Sequence, residues 1–246
     1  MRALITGGTK GIGRAVTMRL AHSGDEVVIN YKSDVAAAEA TAREVTASGG
    51  RARLVQADAC SLDGISELAG EVRSTLGELD LLVHCAVAPY GGSALAAPEA
   101  DFRGSVEKNG LSFLWLVRAC KDLLTNGSSA IYLSSGGATR ALPNYAPIGI
   151  AKALAEAVVR YLAAELAPHG VRVNAVSAAA VDTEALRAVM AGGVAEQLLA
   201  ASARRNPSGR ALEAADVAGA IMALASENAS MIQGQIVRVD GGLGLL

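Results

Sequence analysis

The sequence predicts a doubly wound α/β fold, a seven-stranded parallel sheet with helices on both faces. Three observations predict it. Short apolar runs alternate with long amphipathic stretches along the whole chain. The runs are continuously apolar instead of alternating, as strands buried on both faces must be. A glycine-rich loop directly follows the first run.

The predicted strands, in order, are Arg2 to Thr6, Glu26 to Asn30, Arg51 to Gln56, Asp80 to His84, Ala130 to Ser134, Val171 to Ser177 and Gln235 to Val239. Six helical stretches lie between them. The first should run from Gly11 to Ala21. The strongest covers Ala151 to Ala167, where Leu154, Val158, Tyr161, Leu162 and Leu166 recur at three- and four-residue steps, and it should end near Pro168-His169-Gly170. Residues 183–212 make a longer connection than a crossover needs, and we read them as a lid over a substrate.

Residues 1–246 read as a single domain. With 51% hydrophobic and 19% charged residues the chain can fill one large core, and no Pro- or Ser-rich linker divides it. The 22 basic and 24 acidic residues leave a net charge of -2, so no footprint for a nucleic-acid backbone exists. Cys60, Cys85 and Cys120 lack CxxC spacing and are odd in number, which argues against a metal site and a disulfide framework and suits a reducing cytoplasm. The apolar run Ala3-Leu4-Ile5 stops at Thr6, and nowhere do about 18 apolar residues follow one another. Neither a signal peptide nor a membrane span is expected.

Thr6-Gly7-Gly8-Thr9-Lys10-Gly11-Ile12-Gly13 joins the first strand to the first helix. There Gly7 would permit a tight turn, Gly11 a backbone approach to a pyrophosphate, and Gly13 close packing, with the helix N-terminus adding amides and a positive dipole end. The spacing GxxxGxG resembles the short-chain dehydrogenase/reductase superfamily. Later segments follow that superfamily's order: Asp58-Ala59, Asn109, Ser135, Lys152, Asn174 to Ser177, and Val239-Asp240-Gly241-Gly242. The resemblance spans nearly the whole chain and implies a Rossmann-type site across the carboxyl ends of the strands. It brings Cys85-Ala86, Val181 and Thr183 to the cofactor. The second strand ends Asn30-Tyr31-Lys32-Ser33 with no carboxylate to meet a ribose 2'-hydroxyl, and Lys10 and Lys32 flank the place where a 2'-phosphate would sit. NADPH is the expected cofactor. Asp58 either fixes the adenine amino group or caps the following helix.

Most of the superfamily carries Tyr-x-x-x-Lys, but four residues before Lys152 stands Ile148, which has no proton to give. Tyr145 stands seven before. At about 100° per residue, seven steps end about 20° short of two turns, so on a continuous helix Tyr145 shares the face of Lys152, its root about 4.5 Å along the axis from the usual position at residue 148. Asn144 can cap such a helix, and Pro147 is tolerable in its first turn. Tyr-x6-Lys resembles the bacterial enoyl-acyl carrier protein reductases. Val83 to Pro89, the Ala178-Ala179 that replaces Pro-Gly, Val181 to Leu186, Asn206 to Arg210 and Met231 to Gln235 look most like their NADPH-dependent third type.

That resemblance implies reduction of the α,β double bond of an enoyl thioester, carried by acyl carrier protein or coenzyme A, with Tyr145 steadying the enolate and Lys152 placing the ribose. Ser135 is either a partner of that phenol or a strand-end hydroxyl. Asn109 either holds a water near Lys152, as in relatives, or satisfies a helix carbonyl. His84 reads as a core histidine, while His22 and His169 read as exposed. Trp115, Phe113 and Leu116 read as packing or subunit contact. Arg187, Arg204, Arg205 and Arg210 either meet a phosphopantetheine phosphate or are solvated. Relatives form tetramers through two long helices, and the faces around Leu111 to Val117 and Leu154 to Leu162 are compatible with a homotetramer. Two alternatives stand beside the enoyl reductase: a ketoreductase with a displaced tyrosine, and an NADP-binding scaffold without turnover.

Overall fold

The computed structural model describes residues 1–22, 24–190 and 192–245. Seven strands, β1 (Arg2–Thr6), β2 (Glu26–Tyr31), β3 (Arg51–Gln56), β4 (Leu79–His84), β5 (Leu124–Ser135), β6 (Arg172–Ala178) and β7 (Ile236–Val239), form one sheet. Its order is β3-β2-β1-β4-β5-β6-β7. Every pairing is parallel. Parallel neighbours need crossovers, and the chain supplies helices for them: α1 (Gly11–Arg19), α2 (Val35–Ala47), α3 (Leu62–Leu76), α4 (Glu99–Val106), α5 (Ser112–Cys120), α6 (Ala146–Leu166), α7 (Glu184–Val189), α8 (Val194–Arg205) and α9 (Ala214–Ala225).

The inner strands have two cores to fill. On one face Leu4, Leu82, Ala130 and Val173 meet Leu68 of α3, Leu116 of α5 and Val159 of α6. On the other Ile5, Val83, Ile131 and Val176 meet Val16 of α1, Val45 of α2 and Ile221 of α9. Burial on both faces explains the continuous apolar runs. It fails at the rims: β3 has Val55 as its one buried residue among exposed and half-buried ones, and β7 has no buried residue, because each is an edge strand with one neighbour. Strand direction reverses its lateral progress between β1 and β4, and a crevice opens there at the carboxyl ends.

Several helices differ from expectation. The first ends at Arg19, two residues early. The helical stretch between β4 and β5 is broken by a π turn, Glu107–Leu111, between α4 and α5. Gly110 in this turn lies so close to α6 that a Cβ would stand 2.8 Å from Leu154 Cδ2 and 3.1 Å from the Ala151 carbonyl. The 183–212 connection holds two helices of its own, α7 and α8. The apolar stripe on α6 is also displaced. Its buried line is Ile148, Ala151, Ala155, Val159 and Leu162, while Tyr161 is 73% exposed and Leu154 and Val158 are half-buried. Among the described residues no helix is long and apolar enough to cross a membrane.

One buried cation stabilises the far side of the sheet. The Arg172 guanidinium donates to the carbonyls of Leu224, Ala225 and Ala229, closing the end of α9, whose last carbonyls have no helical partner. Arg172→Met leaves those buried acceptors unpaired, an expected loss of about 2 kcal/mol and about 4 to 8 °C in Tm. Thermal unfolding checks this, and a variant melting within a degree of wild type would contradict it.

Candidate active site

The crevice encloses about 810 Å³. One wall is the loop from β1 to α1. Gly7 and Gly11 there have φ of 61° and 51°, the left-handed region that a side chain resists. Close approach binds the loop as well: a Cβ on Gly13 would stand 2.2 Å from the Gly7 carbonyl oxygen, and one on Gly11 2.9 Å from Thr183 Cγ2. The loop is tied to the sheet by Asn30, a buried polar residue at the end of β2. Its Nδ2 donates to the Ala57 carbonyl at 2.9 Å, and its backbone and side-chain oxygens accept from Gly8 N and Gly7 N. Asn30 lines the crevice and was not among the expected site residues. Its signal was present in the sequence, as a polar side chain directly after the apolar run Val27-Val28-Ile29.

Gly7, Lys10, Gly11, Ile12, Gly13, Lys32, Asp58, Ala59, Cys85, Ala86, Lys152, Val181 and Thr183 all line the crevice, as do Ser135 and Tyr145. Thr9 and Asn109 do not; both are buried beside it. The Asn109 side chain is fully engaged elsewhere, accepting from Ala88 N at 2.8 Å and donating to the carbonyls of Ala88 and Ser105 at 3.0 Å. It clamps the segment after β4 and satisfies the Ser105 carbonyl of α4.

The two lysines are paired. Lys10 lies 2.6 Å from Asp34 and 2.7 Å from Glu184, which ties the glycine loop to the first turns of α2 and α7. A carboxylate therefore does stand just past β2: Asp34 also N-caps α2, accepting from Ala37 N. Lys32 lies 2.7 Å from Asp58. Burial would raise the Asp58 pKa, but Lys32 and the Cys60 amide together hold it below the usual carboxylate value. Asp58 does not cap α3; Ser61 does, accepting from Gly64 N at 3.2 Å.

At the other end of the crevice stand Tyr145, Ser135 and Lys152. Tyr145 is the N-cap of α6, with φ -115° and ψ 3°, so it sits just outside the helix and not within its face. Asn144 before it takes φ 55° and does not cap. The phenol nevertheless enters the crevice because Gly137 leaves it room: a Cβ on Gly137 would stand 2.5 Å from Tyr145 Cε1. Burial raises the Tyr145 pKa, and the Ser135 hydroxyl partly offsets this. Lys152 is buried and donates to the Leu133 carbonyl at 2.6 Å. Burial lowers its pKa to about 8. Ile148 is 1% exposed and packs with Val189, Met190 and Ala195, forming an apolar wall with Leu142 and Leu186.

His84 is a core residue. His84 Nδ1 is hydrogen-bonded to Thr6 Oγ1 and Nε2 to Ser112 Oγ, both at 2.9 Å, and Thr6 Oγ1 also accepts from Ala86 N. Burial pushes its pKa down to about 3, so it is neutral. Phe113 and Leu116 are core residues too, and Trp115 is partly buried under Arg118. Arg187 pairs with Asp182 and Glu196, and Arg210 with Asp216. Arg204 and Arg205 are exposed and take part in no ion pair among the described residues. Among those residues no three His, Cys, Asp or Glu side chains converge as a metal site would require.

The family model described as Enoyl-(Acyl carrier protein) reductase matches residues 7–244. The chain belongs to that family of short-chain dehydrogenase/reductases. Within this family of oxidoreductases it is similar to the 1-cyclohexenylcarbonyl-CoA reductase of Streptomyces collinus, at 35% identity over 99% of this chain and 87% of the relative. It is 32% identical to an enoyl-[acyl-carrier-protein] reductase [NADH] of Synechocystis, over 99% of this chain and 96% of that one. Among solved structures, a short-chain dehydrogenase from Burkholderia cenocepacia in complex with NADP superposes with a TM-score of 0.89 at 28% identity, covering 99% of this chain and 97% of the other.

Proposed function

We propose that the protein reduces the α,β double bond of an enoyl thioester with NADPH. The observation that carries this reading is the occupancy of one crevice by Tyr145, Ser135 and Lys152, while the position four before the lysine is filled by the apolar Ile148. The names of the two relatives above, both reductases of enoyl substrates, support it.

The residues fit a dinucleotide, because a loop on which a Cβ at Gly13 would stand 2.2 Å from the Gly7 carbonyl oxygen keeps its backbone open to a pyrophosphate. Gly7 to Gly13 would hold the pyrophosphate and nearby ribose, Asp58 and Ala59 the adenine, and Cys85, Ala86, Val181 and Thr183 the remaining length. The bound coenzyme supplies a hydride, which enters the β-carbon. Lys152 anchors the nicotinamide ribose and contributes positive potential. Tyr145 donates a hydrogen bond to the thioester oxygen as the electrons of the double bond move onto it. Its raised pKa keeps the phenol protonated at neutral pH. The α-carbon then takes a proton from Tyr145, replenished from water, or from water directly. Leu142, Ile148, Val189 and Met190 shield the acyl group, with residues 183–212 as the lid.

Purified protein offered crotonyl and acetoacetyl thioesters with NADPH tests the reading. Oxidation with the crotonyl substrate alone is the expected result. Oxidation with acetoacetyl alone makes the protein a ketoreductase, and none with either makes it a scaffold. A specific observation favours NADH as a second reading of the cofactor: Asp34 and Glu184 already hold Lys10, and Asp58 holds Lys32. If the lysines turn to a 2'-phosphate, Lys10→Ala and Lys32→Ala each raise the Kd for NADPH about tenfold and leave that for NADH unchanged. Equal effects on both would decide for NADH. Of the four arginines named for the carrier's phosphate, Arg204 and Arg205 are in no ion pair among the described residues. A homotetramer would use the outer faces of α5 and α6, where Tyr161 is exposed; sedimentation measures it.

A further inference from the structure

We propose that Tyr132 is a positioning residue for Lys152, its ring face holding the ammonium and its hydroxyl fastening the π turn beneath. This rests on the reading of Lys152 as the ribose anchor. Tyr132 lies on β5, three residues before Ser135, and is 1% exposed. Its ring centroid is 4.5 Å from Lys152 Nζ. Its hydroxyl donates to the Asn109 carbonyl at 2.7 Å, inside the π turn, where a widened turn frees backbone acceptors. Phe113 at 5.3 Å and the stacked His84 at 5.9 Å hold the ring itself.

The arrangement solves a particular problem. A buried ammonium needs compensation, but a carboxylate paired with it would occupy the N–H groups that a ribose must receive. Lys152 has no ion pair among the described residues, and its hydrogen bond goes to the Leu133 carbonyl. Glu156, one turn along α6, is bonded to Ser134 at 2.6 Å. An aromatic face attracts the cation without consuming its donors. Around the ammonium lie Cys60 and Cys85 from the loops after β3 and β4, Glu156 from α6, neutral His84 from β4 and Tyr145 at the start of α6. The ring therefore opposes the desolvation that depresses the lysine's pKa.

The chain has five lysines, so Lys152 can be followed by NMR in cofactor-free protein labelled with ¹³C-lysine and assigned with Lys152→Met. In wild type its ε-methylene signal should lie upfield of the other four through the ring current, and it should titrate near pH 8. Tyr132→Phe keeps the ring and should keep both properties. Tyr132→Leu should lose the upfield displacement and titrate about 0.5 to 1.5 units lower. A wild-type signal without the displacement overturns the proposal, as does a Tyr132→Leu titration equal to wild type. Should Tyr132→Leu fail to fold, the wild-type and Tyr132→Phe spectra still decide. The measurement involves no turnover, so its failure leaves the enoyl-reductase reading intact, and failure of that reading leaves the ring contact standing.

Discussion

Tyr145→Phe is expected to lower turnover of an enoyl thioester by about 10² to 10⁴, the usual worth of a positioned proton donor. That is about 3 to 5 kcal/mol of barrier. The substitution removes one oxygen and leaves the ring in the slot that Gly137 provides, so fold and crevice shape should survive. The loss should fall on kcat, because the phenol's bond strengthens only as charge develops on the thioester oxygen. Two neighbours do not replace it: His84 is buried and held by Thr6 and Ser112, and Ile148 has nothing to donate. Ser135 accepts from Gly137 N at 3.2 Å and keeps its O–H to donate, so the residual rate of the variant should depend on Ser135. Steady-state kinetics with a crotonyl thioester checks this. An unchanged kcat would remove Tyr145 from the mechanism.

What the sequence disclosed here follows from what local patterning can encode. Continuous apolar runs mark strands covered on both faces, so β1, β2, β4 and β6 were legible nearly to the residue. Edge position depends on which strands the chain sets side by side, and no local run carries it; β3 and β7 were therefore read as more buried than they are. The glycine loop was legible because sterics at Gly7, Gly11 and Gly13 admit no side chain. Tyr145 was placed in the right crevice by an argument about helical phase that the structure does not follow, since residue 145 is the N-cap. What aims it is Gly137, eight residues earlier in the turn after β5, whose contact with the ring only the fold shows. Ion pairs across long separations were equally hidden: Glu184 reaches Lys10 from the far end of the chain, and only the folded crevice shows that neither lysine is unpartnered. Tyr132 read as strand because its chemistry appears only when α6 lays Lys152 across it.

Gly137→Ala should cost about 10² in kcat without removing any reacting group, the penalty expected when a catalytic side chain is displaced by about 1 Å. The added Cβ would stand 2.5 and 2.6 Å from Tyr145 Cε1 and Cδ1, and 3.4 Å from Leu142 Cδ1. The ring cannot give way by sliding along the helix, because its backbone is pinned where Gly149 N donates to the Tyr145 carbonyl at 2.7 Å. It must swing, and the hydroxyl moves with it, away from Ser135. Gly137 has no left-handed φ, so the backbone itself tolerates alanine and the fold should be kept. Cofactor affinity should change little, since the lysine and the glycine loop are untouched. The decisive comparison is the double variant. If Gly137→Ala acts by moving the hydroxyl, it should add almost nothing to Tyr145→Phe, whose hydroxyl is already gone. Additive losses in that cycle, or a Gly137→Ala enzyme as fast as wild type, would show that the room beside the phenol is not what aims it.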